Sequence, residues 1–216
     1  MSQMDQAVQK VLEEYEVRST AEETRWHELE WNNFVIERDQ FLLAVGPATG
    51  QLINLLVKQT ESKVILEIGT SYGYSTLWLA EAARQTGGHV ITLELHEEKQ
   101  QYARERMTQA GLAEQIDFRL GDAIKSLSRL ETNVDFVLLD LWKDLYVPCF
   151  DLFHPRLNPG ALVVADNMIF PDSARTHASV YRRHVRSKPD MQSMLLPVGS
   201  GLEVSRCTRG LSEIEV

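Results

Sequence analysis

Between residues 4 and 15, Met4, Ala7, Val8, Val11, Leu12 and Tyr15 recur at intervals of three and four, the spacing of one apolar helix face. Thr20 followed by Glu23 has the capping-box pattern and predicts that a second helix starts there, carrying Trp26, Leu29 and Ile36. Gly46-Pro47 interrupts the pattern, and Gln51–Lys58 predicts a third helix. From Lys63 the period changes: the runs KVILEI, HVITLEL, QIDFRL, VDFVLLD and ALVVAD, apolar on both faces, alternate with helical stretches such as YSTLWLAEAAR and HEEKQQYARERMTQA, and one near 145–153. Parallel strands covered by helices on both sides have this texture. Beyond Asp166 a helix is predicted over 174–187, and QSMLLPV and LEVSRCT follow with no helical pattern between them, which predicts an antiparallel hairpin at the sheet edge. The predicted fold is therefore α/β, a doubly wound, mostly parallel seven-stranded sheet. Residues 1–60 form an N-terminal helical extension and residues 61–216 carry the sheet, within a single domain.

Composition adds exclusions. The 216 residues are 44% hydrophobic and 25% charged, near the average of globular chains, and no apolar run reaches the roughly 18 residues of a membrane span. The start, MSQMDQAVQKVLEEYEV, has no basic stretch leading into an apolar one, so no secretory signal and a cytoplasmic location are expected. A net charge of −9 weighs against a general nucleic-acid partner. The basic stretch containing Arg182, Arg183 and Arg186 reads as the solvated face of a helix. Cys149 and Cys207 lie in no metal-ligand spacing and are expected to be reduced core thiols.

The stretch KVILEIGTSYGYSTLWLA joins a strand to a helix through Glu67-x-Gly69-x-x-x-Gly73. Glycines let the backbone approach a ligand closely, and the helix N-terminus beyond them offers oriented N–H groups. The dinucleotide pattern GxGxxG and the P-loop Gly-Lys-Ser/Thr are both missing. Glu67 suits a cationic ligand rather than a pyrophosphate, and Glu94, ending the second strand, is placed to accept from both ribose hydroxyls. Together they favour S-adenosylmethionine over NAD. Asp122, with Ala123 at the end of the third strand, is read either as a contact to the adenine amino group or as an N-cap without a ligand.

Two later strands end in oxygen ligands, VDFVLLD at Asp140 and ALVVAD at Asp166, which Asn167 follows. If the two strands are neighbours, about 4.8 Å apart, these side chains converge on one point. Asp, Asp and Asn suit a hard cation, Mg²⁺ or else Mn²⁺ or Ca²⁺, and not zinc. Lys143 is positioned to take a proton from a hydroxyl at that point, or else to form an ordinary ion pair with Asp144. Trp142 would wall the cofactor or the substrate ring, or belong to the core.

With Val45-Gly46-Pro47-Ala48-Thr49-Gly50-Gln51, Glu67-Ile68-Gly69, Gly73-Tyr74-Ser75, Leu139-Asp140-Leu141-Trp142-Lys143-Asp144-Leu145-Tyr146, Ala165-Asp166-Asn167 and Gly201-Leu202-Glu203 read together, the chain resembles the cation-dependent O-methyltransferases, above all their catechol branch and its bacterial small-molecule relatives. The resemblance spans roughly residues 40–210. It implies a Rossmann-like class I methyltransferase sheet with a reversed last strand, Mg²⁺ held by Asp140, Asp166 and Asn167, and Lys143 as base. It further implies that Glu203 hydrogen-bonds the second hydroxyl of a catechol-like substrate, and that Val45, Glu67, Gly69, Ser71, Ser75, Glu94 and Ala123 line S-adenosylmethionine, with Asp122 and Asp140 as further cofactor contacts. Leu141 stands where the animal catechol enzymes often have histidine, and Ser71 where an aromatic residue is common. Two other functions are weighed beside it. One is metal-independent methyl transfer to another acceptor, which the Asp140-Leu-Trp-Lys sequence does not fit; the other is a non-catalytic S-adenosylmethionine-binding module. A homodimer is expected, because the apolar stripes of residues 1–45 have no evident use on a sheet already covered on both faces.

Overall fold

A computed structural model of the chain describes residues 4–28 and 38–210. Seven strands form one sheet: β1 (Val64–Ile68), β2 (His89–Glu94), β3 (Ile116–Leu120), β4 (Val134–Leu139), β5 (Leu157–Ala165), β6 (Met191–Leu196) and β7 (Leu202–Cys207), in the spatial order β3-β2-β1-β4-β5-β7-β6. β1 to β5 pair in parallel, while β7 runs antiparallel to both β5 and β6. This is the doubly wound, mostly parallel sheet with a closing hairpin that the alternating runs predict. The central strands β1, β2 and β4 are buried almost throughout, as continuous apolar runs require, and the edge strands β3 and β6 are only partly covered.

Two cores flank the sheet. On one face Ile65, Phe136, Leu138 and Val164 pack against α1 (Gln6–Glu28), α2 (Pro47–Gln59), α3 (Tyr74–Thr86) and α4 (Glu97–Gln109). On the other, Leu66, Ile68, Val137, Leu139 and Val163 pack against α5 (Ala123–Ser128), α6 (Tyr146–Phe153) and α7 (Arg175–Arg186). Alternation along each strand assigns neighbouring residues to opposite cores. Cys149 and Cys207 are buried free thiols, as expected. Gly50 lets α2 lie against α3: a Cβ there would sit 2.3 Å from the Trp78 indole nitrogen.

The helical lead-in departs from the sequence reading in two respects. α1 continues through Thr20 to Glu28, and the Thr20 hydroxyl donates to the Glu16 carbonyl inside the helix, so it starts no second one. Leu29 and Ile36 lie outside the described residues. α2 begins at Pro47, four residues before the predicted start, because Gly46 takes the left-handed turn and proline fits the first helical position, where no N–H is needed. Within α1, Val8, Val11 and Tyr15 are buried in the chain's own first core, while Val17 is exposed. Among the described residues no helix is long and apolar enough to cross a membrane.

Candidate active site

Glu67, Gly69, Ser71, Glu94, Asp140, Lys143, Asp166 and Asn167 lie at or just beyond the C-terminal ends of β1, β2, β4 and β5. The loop after β1 sets the spacing there. Gly69 has φ +108, and a Cβ on it would lie 1.9 Å from the Asp140 carbonyl oxygen, so only glycine lets the β1 and β4 loops approach. Ser71 follows in the left-handed region at φ +47, and its N–H donates to Glu94 Oε2 at 2.7 Å. The other Glu94 oxygen accepts from the N–H groups of Leu95 and His96, each at 2.9 Å. Glu94 therefore braces the loop, and its oxygens keep lone pairs for a ligand. The Ser71 hydroxyl donates to the Leu42 carbonyl, and Val45 is buried close by in sequence.

Glu67 differs from its expected pose. It is fully buried, one oxygen accepting from Ser75 and the other from Thr76 and Thr92, all at 2.6 Å. Burial pushes its carboxyl up to about 7, against the three hydroxyls that favour the ionised form. Glu67 and Ser75 thus tie the start of α3 to β1 and β2 from beneath, where a direct contact with a cationic ligand was expected. Asp122 is an N-cap, as one of its two readings has it. Its Oδ1 caps α5 by accepting from the Lys125 N–H at 2.9 Å, and Ala123 opens that helix.

β4 and β5 are neighbours, with Leu139 opposite Ala165, so Asp140 and Asp166 leave adjacent strand ends together. Asp166 is 2% exposed, and its Oδ1 is buried without a hydrogen-bond partner. Burial and then the neighbouring Asp140 charge raise its carboxyl to about 7. A buried carboxylate oxygen facing a second carboxylate and lacking a donor is what a cation would satisfy. Asn167 is left-handed at φ +58, a conformation asparagine tolerates better than most residues. Among the described residues no group of three His, Cys, Asp or Glu side chains forms a cage, so a cation here would rest on two carboxylates, an amide and outside ligands. That donor set fits a hard ion such as Mg²⁺.

Lys143 turns to Asp140 and away from Asp144. Its Nζ lies 3.2 Å from Asp140 Oδ1, 2.9 Å from the Leu141 carbonyl and 2.7 Å from the Tyr146 hydroxyl. Trp142 is 43% exposed at the same loop, on the rim rather than in the core.

Glu203 lies opposite Ala165, the residue before Asp166, and is engaged within the protein. It is wholly buried on β7 beneath α7, held by Arg186 through two bonds of 2.6 and 3.0 Å and by Arg182 at 3.3 Å. A carboxylate removed from water needs such partners. In the basic stretch of α7, Arg183 and Arg186 are exposed as predicted and Arg182 is partly covered, while His184 and, beyond the helix, Lys188 meet Asp151. The sequence reading missed the Thr76 and Thr92 support of Glu67, the arginine clamp and Tyr146. Of these, only Tyr146 carried a local signal, three residues after Lys143 at the mouth of a helix.

Strand order, reversed last strand, glycine loop and paired strand-end carboxylates define a class I methyltransferase arrangement. The chain belongs to the O-methyltransferase family, which it matches over residues 18–207. It is 35% identical over 141 residues to a catechol O-methyltransferase of Niastella koreensis, a match covering 63% of this chain and 63% of that relative. A caffeoyl-CoA O-methyltransferase 1 of Eucalyptus globulus is 30% identical over 189 residues, covering 76% of this chain and 75% of the plant protein. Among solved structures, the O-methyltransferase TomG of Streptomyces achromogenes, in complex with SAM, superposes with a TM-score of 0.73 at 25% identity, covering 95% of this chain and 91% of its own.

Proposed function

We propose that the protein transfers a methyl group from S-adenosylmethionine to one hydroxyl of a vicinal aromatic diol, with Mg²⁺ held by Asp140, Asp166 and Asn167. The observation that carries this reading is the unpartnered, buried Asp166 oxygen beside Asp140, with the Lys143 amine 3.2 Å from the latter. The relatives named for catechol and for caffeoyl-CoA support an acceptor with adjacent phenolic oxygens.

S-adenosylmethionine supplies a methyl group already activated on a sulfonium. Mg²⁺ would supply positive charge favouring ionisation of an acceptor hydroxyl, and adjacent open positions suited to two vicinal oxygens. The chain's own residues do the rest. Gly69 and Ser71 shape the loop on which the donor lies, and Glu94 receives the ribose. The Lys143 amine accepts the proton as the acceptor O–H bond breaks; the oxygen then bonds to the methyl carbon while the S–C pair returns to sulfur. Val45 and Trp142 limit water at the reacting atoms. Most of the acceleration would thus come from orientation and charge placement. Glu203, engaged by two arginines, is assigned to anchoring α7 on β7.

The test is a methyl-transfer assay on catechol and on phenol, in EDTA and with Mg²⁺ restored. Catechol turnover is expected to vanish in EDTA, return with Mg²⁺, and exceed that of phenol by at least about two orders of magnitude in kcat/KM, roughly 2.7 kcal/mol. Turnover indifferent to EDTA, or equal kcat/KM for the two acceptors, would reject this reading.

A further inference from the structure

We infer that Tyr146 is a positioning residue for Lys143: its buried hydroxyl, oriented by the Asp166 carbonyl, takes one amine N–H and leaves the remaining corner of Nζ facing Asp140 and the acceptor. The inference rests on the reading of Lys143 as base.

Hydrogen-bond polarity carries the argument. A tyrosine hydroxyl has one hydrogen to give. Tyr146 gives it to the Asp166 backbone oxygen at 3.2 Å, so toward Lys143 Nζ at 2.7 Å it can only accept. The Leu141 carbonyl, 2.9 Å from the same nitrogen, can only accept as well. These two groups, like the Asp140 carboxylate, admit nothing but an N–H. The third corner meets Asp140 Oδ1, the longest of the three contacts at 3.2 Å, on the side of the paired carboxylates. When Lys143 is a neutral amine, the two shorter contacts, at 2.7 and 2.9 Å, hold its two N–H groups, and the corner given up is the longest one, toward Asp140, the carboxylate that a cation would engage. Without the Tyr146 hydroxyl, one of the two shorter contacts is gone and the lone pair has more than one direction.

The surroundings make Tyr146 a stiff reference. Its side chain is fully buried at the first residue of α6, and its ring meets the ring of Tyr181 edge-on, with centroids 5.4 Å apart at 85°. Tyr181 is itself fully buried. Lys143 Nζ stands 4.6 Å from the Tyr146 ring centroid, so the amine lies alongside the ring as well as at its hydroxyl. Through Asp166 the hydroxyl also links two strand ends. The loop after β4 carries Lys143, the end of β5 carries Asp166, and the phenol connects them across twenty residues of sequence.

The test is a double-mutant cycle in the full chain with Tyr146→Phe, Lys143→Met and both together. Catechol is the acceptor, and melting temperature and calorimetric affinity for S-adenosylhomocysteine are measured alongside turnover. Tyr146→Phe keeps the ring and is expected to lower kcat about tenfold or more, while the catechol KM and the S-adenosylhomocysteine affinity stay within about twofold. In the Lys143→Met background the same change is expected to alter kcat by less than about twofold, because a residue acting through Lys143 has nothing left to act on. Wild-type kcat in Tyr146→Phe, with Lys143→Met inactive, would overturn the inference and leave the base reading standing. An equal fall in both backgrounds, or a fall that tracks lost cofactor affinity or melting temperature, would make Tyr146 a packing residue and overturn it as well. Full turnover in Lys143→Met would reject the base reading, and the inference with it.

Discussion

At residue 69 the backbone has φ +108, and the place of a Cβ is occupied 1.9 Å away by the Asp140 carbonyl oxygen. Two penalties coincide there, an unfavourable backbone conformation and a contact with main chain that cannot rotate away. Gly69→Ala is therefore expected to destabilise the fold by at least about 3 kcal/mol, or to leave it soluble only with the β1 and β4 loops apart. Denaturant unfolding and S-adenosylhomocysteine titration would both register this, and near-wild-type values in both would mean that the loops are not pressed together. Ser71, two residues on, is also left-handed but has open choices: its N–H is fixed by Glu94, and its hydroxyl makes only a 3.3 Å contact with Leu42. Replacement of Ser71 by glycine should be tolerated for that reason, whereas a β-branched residue should not.

The link between α7 and β7 shows the same logic for whole elements. Glu203 has no exposure, and its charge is balanced by Arg186 and Arg182, one helical turn apart. Arg186→Met leaves Arg182 in place and should cost about 1–3 kcal/mol; losing both arginines isolates the charge and should cost about 3–5 kcal/mol. Glu203→Gln removes the charge itself and should cost less than the double arginine change, with the catechol-to-phenol ratio unchanged. A shift in that ratio at constant melting temperature would return Glu203 to the acceptor site. This clamp was illegible in the sequence because it depends on the antiparallel register that sets Ala165 opposite Glu203, and register is a tertiary fact. The strands themselves were legible, since runs apolar on both faces admit few other structures. So was the meeting of Asp140 and Asp166, with Asn167 and Lys143 beside them, because strand ends in a parallel sheet share one edge. Side-chain direction was not. Nothing in the order of residues shows that Glu67 turns inward to Ser75, Thr76 and Thr92, or that Thr20 serves the middle of a helix rather than its start.

Across the whole molecule, two well-packed cores hold a sheet whose C-terminal edge gathers what folding disfavours: adjacent carboxylates and left-handed Ser71 and Asn167. Such concentration has a measurable sign. The Asp166 carboxyl is raised from about 3.8 to about 7, so the folded chain holds that proton after the unfolded chain has released it. Stability without metal should fall as pH rises through that interval and level off above it. Glu67 titrates with the same sign, and His154, whose imidazole is pushed down by burial, with the opposite one, so the raw pH profile mixes several groups. Comparison with Asp166→Asn isolates the contribution of this carboxyl. In EDTA the variant is expected to melt above the wild type at pH 8 by a few degrees, the scale of about 1–2 kcal/mol in a chain of this length, and by less at pH 5. Mg²⁺ should close the gap by raising the wild type alone, since ion binding to the folded state adds stability in proportion to the logarithm of its concentration over Kd. The same variant should lose Mg²⁺-dependent methyl transfer. A wild type that melts above Asp166→Asn at pH 8 in EDTA, or a variant that Mg²⁺ stabilises equally, would show that this carboxylate is satisfied by the protein and that the cation binds elsewhere.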